Sequence, residues 1–394
     1  MTGILQPNGV QSSYRYDAAG RLASLDNRQQ GAATPQSAYA YSLDRVGNRT
    51  QVVQTRAAFD GSAGTVTLTH DYGYDALNRL TSAATDTPAS SSAYSFDRVG
   101  NRTAKTGSAL APDAGLPALP VSPNPLNEQS RYNAANQLVQ SGDATLGYDD
   151  NGNRRSETRT LPNGQTETTN YRYDREDRLV GVTKRVGDSV MMQAVYAYDG
   201  YGRRARKTVS YPGDPSRDQC ITYTYDGLEI IGATIEEKGT SSDLAFYLAP
   251  SPLTGLRRPY AMEDLGSRDR YWLQSDGMDS VVALTDEQGR LVAPMLYDEY
   301  GQHLAGDATI QLFSYTAQDY DPETGLLHFY ARYYDPAHGV WLTQDTYRGQ
   351  TAAPETLHRY GYAGGNPTIR VDKDGHFFQI IVVVAVAGLL RTPK

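Results

Sequence analysis

Residues 171–182 read YRYDREDRLVGV. Tyr171 and Tyr173 stand one residue apart, which puts both rings on one face of a strand. Asp174 then offers a short carboxylate that caps a turn through its side chain. The position three residues after that Asp, here Asp177 and elsewhere Gly or Asn, is the one where the chain takes a positive φ. Arg178-Leu179 opens the returning strand. One such unit is a strand-turn-strand hairpin, and a single hairpin cannot bury its own face.

The unit recurs. Copies lie at Tyr14-Arg-Tyr16-Asp17 with Gly20-Arg21-Leu22 and at Tyr41-Ser-Leu43-Asp44 with Gly47-Asn48-Arg49. Others lie at Tyr72-Gly-Tyr74-Asp75 with Asn78-Arg79-Leu80 and at Tyr94-Ser-Phe96-Asp97 with Gly100-Asn101-Arg102. A worn copy, Tyr132-Asn133 with Asn136-Gln137-Leu138, is followed by Tyr148-Asp149 with Gly152-Asn153-Arg154 and by Tyr196-Ala-Tyr198-Asp199 with Gly202-Arg203-Arg204. Self-similarity of this kind decides the architecture before any single residue does. Stacked units predict an all-β chain, a continuous antiparallel sheet that coils on itself. A propeller or sandwich assembled from the same hairpins is the alternative.

Composition agrees. The chain has 394 residues, with thirty tyrosines against seven phenylalanines. Tyr suits a half-buried strand, ring inside and hydroxyl at water. Thirty-seven glycines and twenty prolines imply many turns and few long helices. Mean hydropathy is −0.57, low enough to raise disorder, but an aromatic share of 10% argues against it. Net charge is −8 with no Lys/Arg stripe, so no nucleic-acid partner is expected. The sole cysteine, Cys220, allows no intrachain disulfide and sits in a strand-like run. The first residues, MTGILQPNGVQSSYRYD, lack the basic and apolar regions of a signal peptide. Residues 104–130 hold five prolines and no strand pattern, which predicts a loop between two hairpins.

The repeat is most regular in FSYTAQDYDPETGLLHFYARYYDPAHGVWLTQD, Phe313–Asp345, which carries two Tyr-Asp-Pro turns. The units and this stretch resemble the YD repeats and the associated core domain of the Rhs (rearrangement-hotspot) family. Tyr271-Trp-Leu-Gln-Ser-Asp-Gly-Met-Asp-Ser280 resembles the family's preceding hairpin, with Gly277-Met-Asp-Ser280 where His-Leu-Gly-Ser usually stands. The resemblance covers nearly the whole chain. It divides it into a YD-repeat region (1–270), a core domain (271–376) and a short apolar tail (377–394). It implies a hollow β-sheet shell, left open if N-terminal repeats are missing. Such a shell encloses a C-terminal polypeptide, usually a toxin.

The resemblance also implies an internal aspartic peptidase that cuts the chain once. The matching positions are Asp345 and Asp372, with Arg332 orienting the pair and the cut falling between His376 and Phe377. Two close carboxylates cannot both ionise comfortably, so one keeps a proton. The ionised one acts as base toward water, and the protonated one donates to the carbonyl oxygen. Most aspartates in such turns only cap them. This chain also departs from the pattern. Lys373 replaces a Pro, His376 replaces a Leu, Asp345 is followed by Thr346 rather than Pro, and its Gly349 comes one residue late. A lysine beside the pair would favour two ionised carboxylates and work against a shared proton.

Other chemistries lack support. The six histidines, His70, His303, His328, His338, His358 and His376, show no metal-ligand spacing, and no P-loop or nucleophile elbow occurs. No cofactor or metal is expected. The apolar run 377–390 has 14 residues, short of the ~20 a membrane span needs. Eighteen residues, 377–394, are too few for a toxin fold of their own, far below the ~40 an unaided domain needs. The expected function is therefore a secreted or cell-surface bacterial toxin shell fragment, used in interbacterial competition and handled by a secretion apparatus. Its own C-terminal effector is its partner. The alternatives are a surface protein whose outward tyrosines stack on carbohydrate, or an inactive remnant.

Overall fold

The computed structural model describes residues 2–57, 64–86, 89–108, 127–306, 312–351, 353–376 and 378–380. Within them, twenty-five strands from Thr2–Leu5 to His303–Gly306 form one sheet. Each strand pairs antiparallel with the next in sequence, as in Tyr14↔Leu25, Tyr171↔Val182 and Tyr196↔Lys207. The described residues contain no α-helix, and the sheet does not close into a barrel.

The turns follow the repeat. Asp174 Oδ1 accepts from the amides of Glu176 (3.0 Å) and Arg178 (2.9 Å), and Asp17, Asp44, Asp75, Asp97, Asp149 and Asp199 do the same. In the worn copy Asn133 Oδ1 performs the task. The fourth position has positive φ whether it is Gly152, Asn78 or Asp177. The same turn continues past the repeats at Asp276, Asp286 and Asp298.

Two further contacts bind unit to unit. The second tyrosine of a unit donates its hydroxyl to the carbonyl that opens the previous return strand: Tyr74 to Arg49, Tyr132 to Arg102, Tyr173 to Arg154, Tyr198 to Leu179 and Tyr225 to Arg204, at 2.7–3.1 Å. Phenylalanine would fill the space but leave those carbonyls without this donor, which accounts for tyrosine at these five positions. Turn tips are also stitched side by side, Asn48 to Asn78, Asn101 to Asn136 and Asn153 to Asp177.

The first residue of each return strand alternates in kind: Leu22, Arg49, Leu80, Arg102, Leu138, Arg154, Leu179, Arg204, all buried. The leucines build core. Arg49 donates to the Gly277 carbonyl at 2.7 Å, and the other three arginines reach a second body, residues 312–376, which packs on that face. Arg102 donates to the Ala337 carbonyl, Arg154 to Asp335, and Arg204 to Asp319 and Asp321. Ring contacts such as Tyr148–Tyr360 and Tyr196–Tyr333 join the same two bodies.

That second body holds a small four-stranded sheet, Asp319–Asp321, Leu326–Phe329, Arg332–Asp335 and Val340–Trp341. Each Tyr-Asp-Pro ends a strand, and the Gly four residues after its Asp donates back to the Asp carbonyl, Gly325 to Asp321 and Gly339 to Asp335. Phe329, Tyr334, Trp341 and Tyr362 form its centre, with Tyr334 stacked on Tyr362 at 4.2 Å.

One expectation is corrected. Residues 104–108 and 127–130 are not loop: Arg102–Ser108 and Asn127–Tyr132 are strands, paired Asn127↔Thr106 and Gln129↔Ala104. Both segments are polar and carry no apolar alternation, so pairing with neighbours decides them rather than local pattern. The five prolines all lie in 109–126, outside the described residues. Cys220 is half-buried in the strand Gln219–Asp226, as its setting predicts.

Candidate active site

Three of the residues singled out from the sequence meet. Arg332 begins the strand Arg332–Asp335, Asp372 ends the strand Arg370–Asp372, and Asp345 follows the strand Val340–Trp341. One nitrogen of Arg332, Nη2, lies 2.8 Å from Asp345 Oδ2 and 3.3 Å from Asp372 Oδ2. The guanidinium stacks over Trp341 at 4.1 Å, a planar fit that lysine cannot reproduce. Its Nε donates to the Gly375 carbonyl and its Nη1 to the Arg359 carbonyl at 3.3 Å.

Each carboxylate has one oxygen on Arg332 and one in its own turn. Asp345 Oδ1 accepts from the Tyr347 amide at 2.8 Å. Asp372 Oδ1 accepts from the amides of Gly375 (2.8 Å) and Asp374 (3.3 Å). Burial raises the Asp372 carboxyl to about 6; Arg332 opposes the rise and Asp374 adds to it. Gly375 sits at φ +78°, and a Cβ there would lie 2.5 Å from the Phe329 carbonyl oxygen, so the turn closes tightly over the site.

The proposed cut position lies in the same hairpin. Arg370–Asp372 pairs antiparallel with Phe378–Ile380, which sets Phe378 opposite Asp372. The His376 amide donates to Asp374 Oδ1 at 3.1 Å. Phe377 lies outside the described residues, as do 381–394 of the apolar tail.

Lys373 is not beside the pair, which corrects the expectation drawn from its place in the sequence. Its ammonium points the other way, donating to the Thr316 carbonyl at 3.1 Å and lying 3.6 Å from Asp279 Oδ2. Adjacent residues on a strand end project to opposite faces, so 373 faces away from what 372 faces. The charge between the carboxylates is that of Arg332.

Two features escaped the sequence reading, of which only the first touches the site. Arg359 Nε donates to the Asp345 carbonyl at 2.7 Å while its own carbonyl accepts from the Asp345 amide at 2.9 Å, which fixes that backbone. Its place in Leu357-His-Arg-Tyr360 gives no local signal. A second buried group, Glu157, Asp335 and His338, brings three possible metal-ligand atoms within 4.8 Å of one another. Arg154 already occupies its centre, 2.5 Å from Asp335 Oδ2 and 3.6 Å from Glu157, and His338 Nδ1 is 2.6 Å from the same Asp335 oxygen. Burial disfavours the charged imidazole, but Asp335 outweighs it and raises His338. The group is a closed ion network with a guanidinium where a cation would go.

With this geometry in hand, comparison with known proteins is informative. Residues 259–368 match the family described as Teneurin YD-shell, and residues 148–189 match RHS Repeat. Both matched stretches are similar to Rhs/YD-repeat proteins. It is 28% identical over 310 residues to the tRNA nuclease WapA of Bacillus subtilis, which covers 75% of this chain and 11% of that protein. It is 26% identical over 413 residues to the toxin protein Tse5 of Pseudomonas aeruginosa, which covers 96% of this chain and 28% of that protein. The chain thus spans about a tenth to a quarter of these relatives' length. The crystal structure of TcdB2-TccC3 without its hypervariable C-terminal region superposes with a TM-score of 0.72 at 20% identity, over 95% of this chain and 18% of that one. At that identity the likeness shows a shared fold, the Rhs/YD sheet.

Proposed function

We propose that this Rhs/YD-repeat chain is part of a toxin shell that encloses a C-terminal effector and cuts its own backbone between His376 and Phe377. The observation that carries the reading is the single nitrogen of Arg332 that contacts both Asp345 and Asp372, while its Nε holds Gly375, one residue before the cut site. Asp372, whose carboxyl burial pushes up to about 6, is in its protonated form the acid toward the His376 carbonyl oxygen; Asp345 is the base toward water. Arg332 and the turn amides hold both groups in place, and the 370–380 hairpin supplies proximity. By this reading the protein is exported, from a bacterium that competes with its neighbours, and a secretion apparatus handles it.

The orientation of the tyrosines favours enclosure over sugar binding. Among described residues, only Tyr201 and Tyr247 are substantially exposed, and the repeat rings turn instead toward residues 312–376 and the core. An outward stacking platform is not formed.

Intact mass tests the cut. The purified wild type is expected to have lost residues 377–394 from its main chain, while Asp345→Asn and Asp372→Asn keep full length. Full-length mass in all three would overturn the proposal.

A further inference from the structure

Asp279 holds a conformation that suits glycine, with φ at +64°. Its carboxylate is almost wholly buried and is reached from four sides. Ser251 Oγ donates to Oδ1 at 2.8 Å and Arg258 Nε lies 3.2 Å from the same oxygen. Thr254 Oγ1 is 3.5 Å from Oδ2, and Lys373 Nζ is 3.6 Å from it. A carboxylate kept in a strained, dry position is held there by what it pairs with.

Lys373 directly follows Asp372. Its ammonium reaches Asp279 and Thr316, and its carbonyl accepts from Gln318 Nε2 at 3.2 Å. The turn 373–375 is therefore fastened on two sides. Arg332 grips Asp372 and Gly375 from one, and Asp279 grips Lys373 from the other. By the resemblance drawn from the sequence, Asp279 stands in place of a glycine and Lys373 in place of a proline, and in the folded chain the two face each other.

We propose that Asp279 and Lys373 form a buried clamp that positions Asp372 for self-cleavage, a role that rests on the self-cleavage reading above. Both are positioning residues; neither touches the reacting atoms. Removing Asp279 leaves the Lys373 ammonium without its carboxylate and frees the turn, and removing Lys373 leaves Asp279 paired with Arg258; removing both takes away the stranded ammonium, while Arg258 keeps Ser275 and Tyr14 as acceptors. Replacing Asp279 with glycine also satisfies its φ without strain.

The test is a double-substitution cycle on the full chain, made by cell-free synthesis and sampled by intact mass at a series of pH values. Asp279→Gly is expected to slow cleavage about tenfold, and Lys373→Met less. Asp279→Gly with Lys373→Met is expected to return to within about twofold of the wild type. The pH profile supplies a readout that mere loss of stability would not move. Asp372 faces Arg332, Asp345, Asp374 and Tyr362, and Lys373 faces Asp279, Asp276, Arg258 and Glu229. Freeing the turn exposes Asp372 to water, so the pH at which cleavage declines falls in Asp279→Gly and returns in the double variant. Additive effects, or slowing that tracks the unfolding midpoint with an unmoved pH profile, would overturn the clamp. A wild type that never cleaves would overturn the self-cleavage reading itself, and the clamp with it.

Discussion

Arg204 and Asp321 are 117 residues apart in the chain and meet at 2.6 Å with neither side chain exposed. The contact joins the repeat sheet to the body packed on it. The same guanidinium reaches Asp319, Tyr223 and Tyr333, and Lys207 adds a second bond to Asp321 at 2.8 Å. Burial alone would raise Asp321; Arg204 and Lys207 outweigh it and hold the carboxyl down at about 2.

Arg204→Met therefore strands two buried carboxylates with one lysine between them. The expected loss is about 3–5 kcal/mol, read from urea unfolding. A change below about 1 kcal/mol would mean that water reaches the site and that the two bodies are not joined there.

Arg332→Lys keeps the charge at the candidate site but not the fork. One ammonium cannot serve Asp345, Asp372, the Gly375 carbonyl and the Trp341 face together. Cleavage should slow roughly ten- to a hundredfold, the scale on which misplaced reacting groups lose rate. Wild-type rates in Arg332→Lys would show that charge alone suffices.

The pH dependence follows from Asp372. With its carboxyl pushed up to about 6, the proton it donates is lost as pH rises through that value, and cleavage should fall with it. The stability sign is the same. A carboxyl raised above its unfolded value favours the folded state when protonated, so that contribution is complete below the ordinary 3.8 and lost as pH climbs to about 6. In the uncleaved Asp345→Asn chain, unfolding measured across this window should show the decline. Adding Asp372→Asn should flatten it, and an unchanged slope would remove Asp372 as its cause.

Tyr173→Phe tests the bond between units. The ring stays and only the donation to the Arg154 carbonyl at 2.9 Å is lost, so stability should drop by about 0.5–1.5 kcal/mol. Tyr173→Ala, which also empties the space, should cost about 3–5 kcal/mol. Equal losses in the two variants would mean that the hydroxyl, not the ring, carries the whole interaction.

The local chemistry of this protein is written in its sequence. Tyr-x-Tyr-Asp with Gly or Asn three residues on names a strand, its buried face and its turn, because side-chain alternation and Asp capping act within a few residues. The repeat count then made a continuous antiparallel sheet the natural product, and Asp345, Asp372 and Arg332 could be named from resemblance. The alternation of Leu and Arg at the start of return strands was equally visible, but its meaning was not. Only in the folded chain do Arg154 and Arg204 find Asp335, Asp319 and Asp321. The same holds for Lys373. Its position beside Asp372 in the chain suggested a disturbing charge, yet neighbours on a strand end face opposite ways, and its ammonium turned to Asp279. Which charges meet in a buried interior is decided by strands far apart in the chain, since that is where water is excluded and a partner must be found.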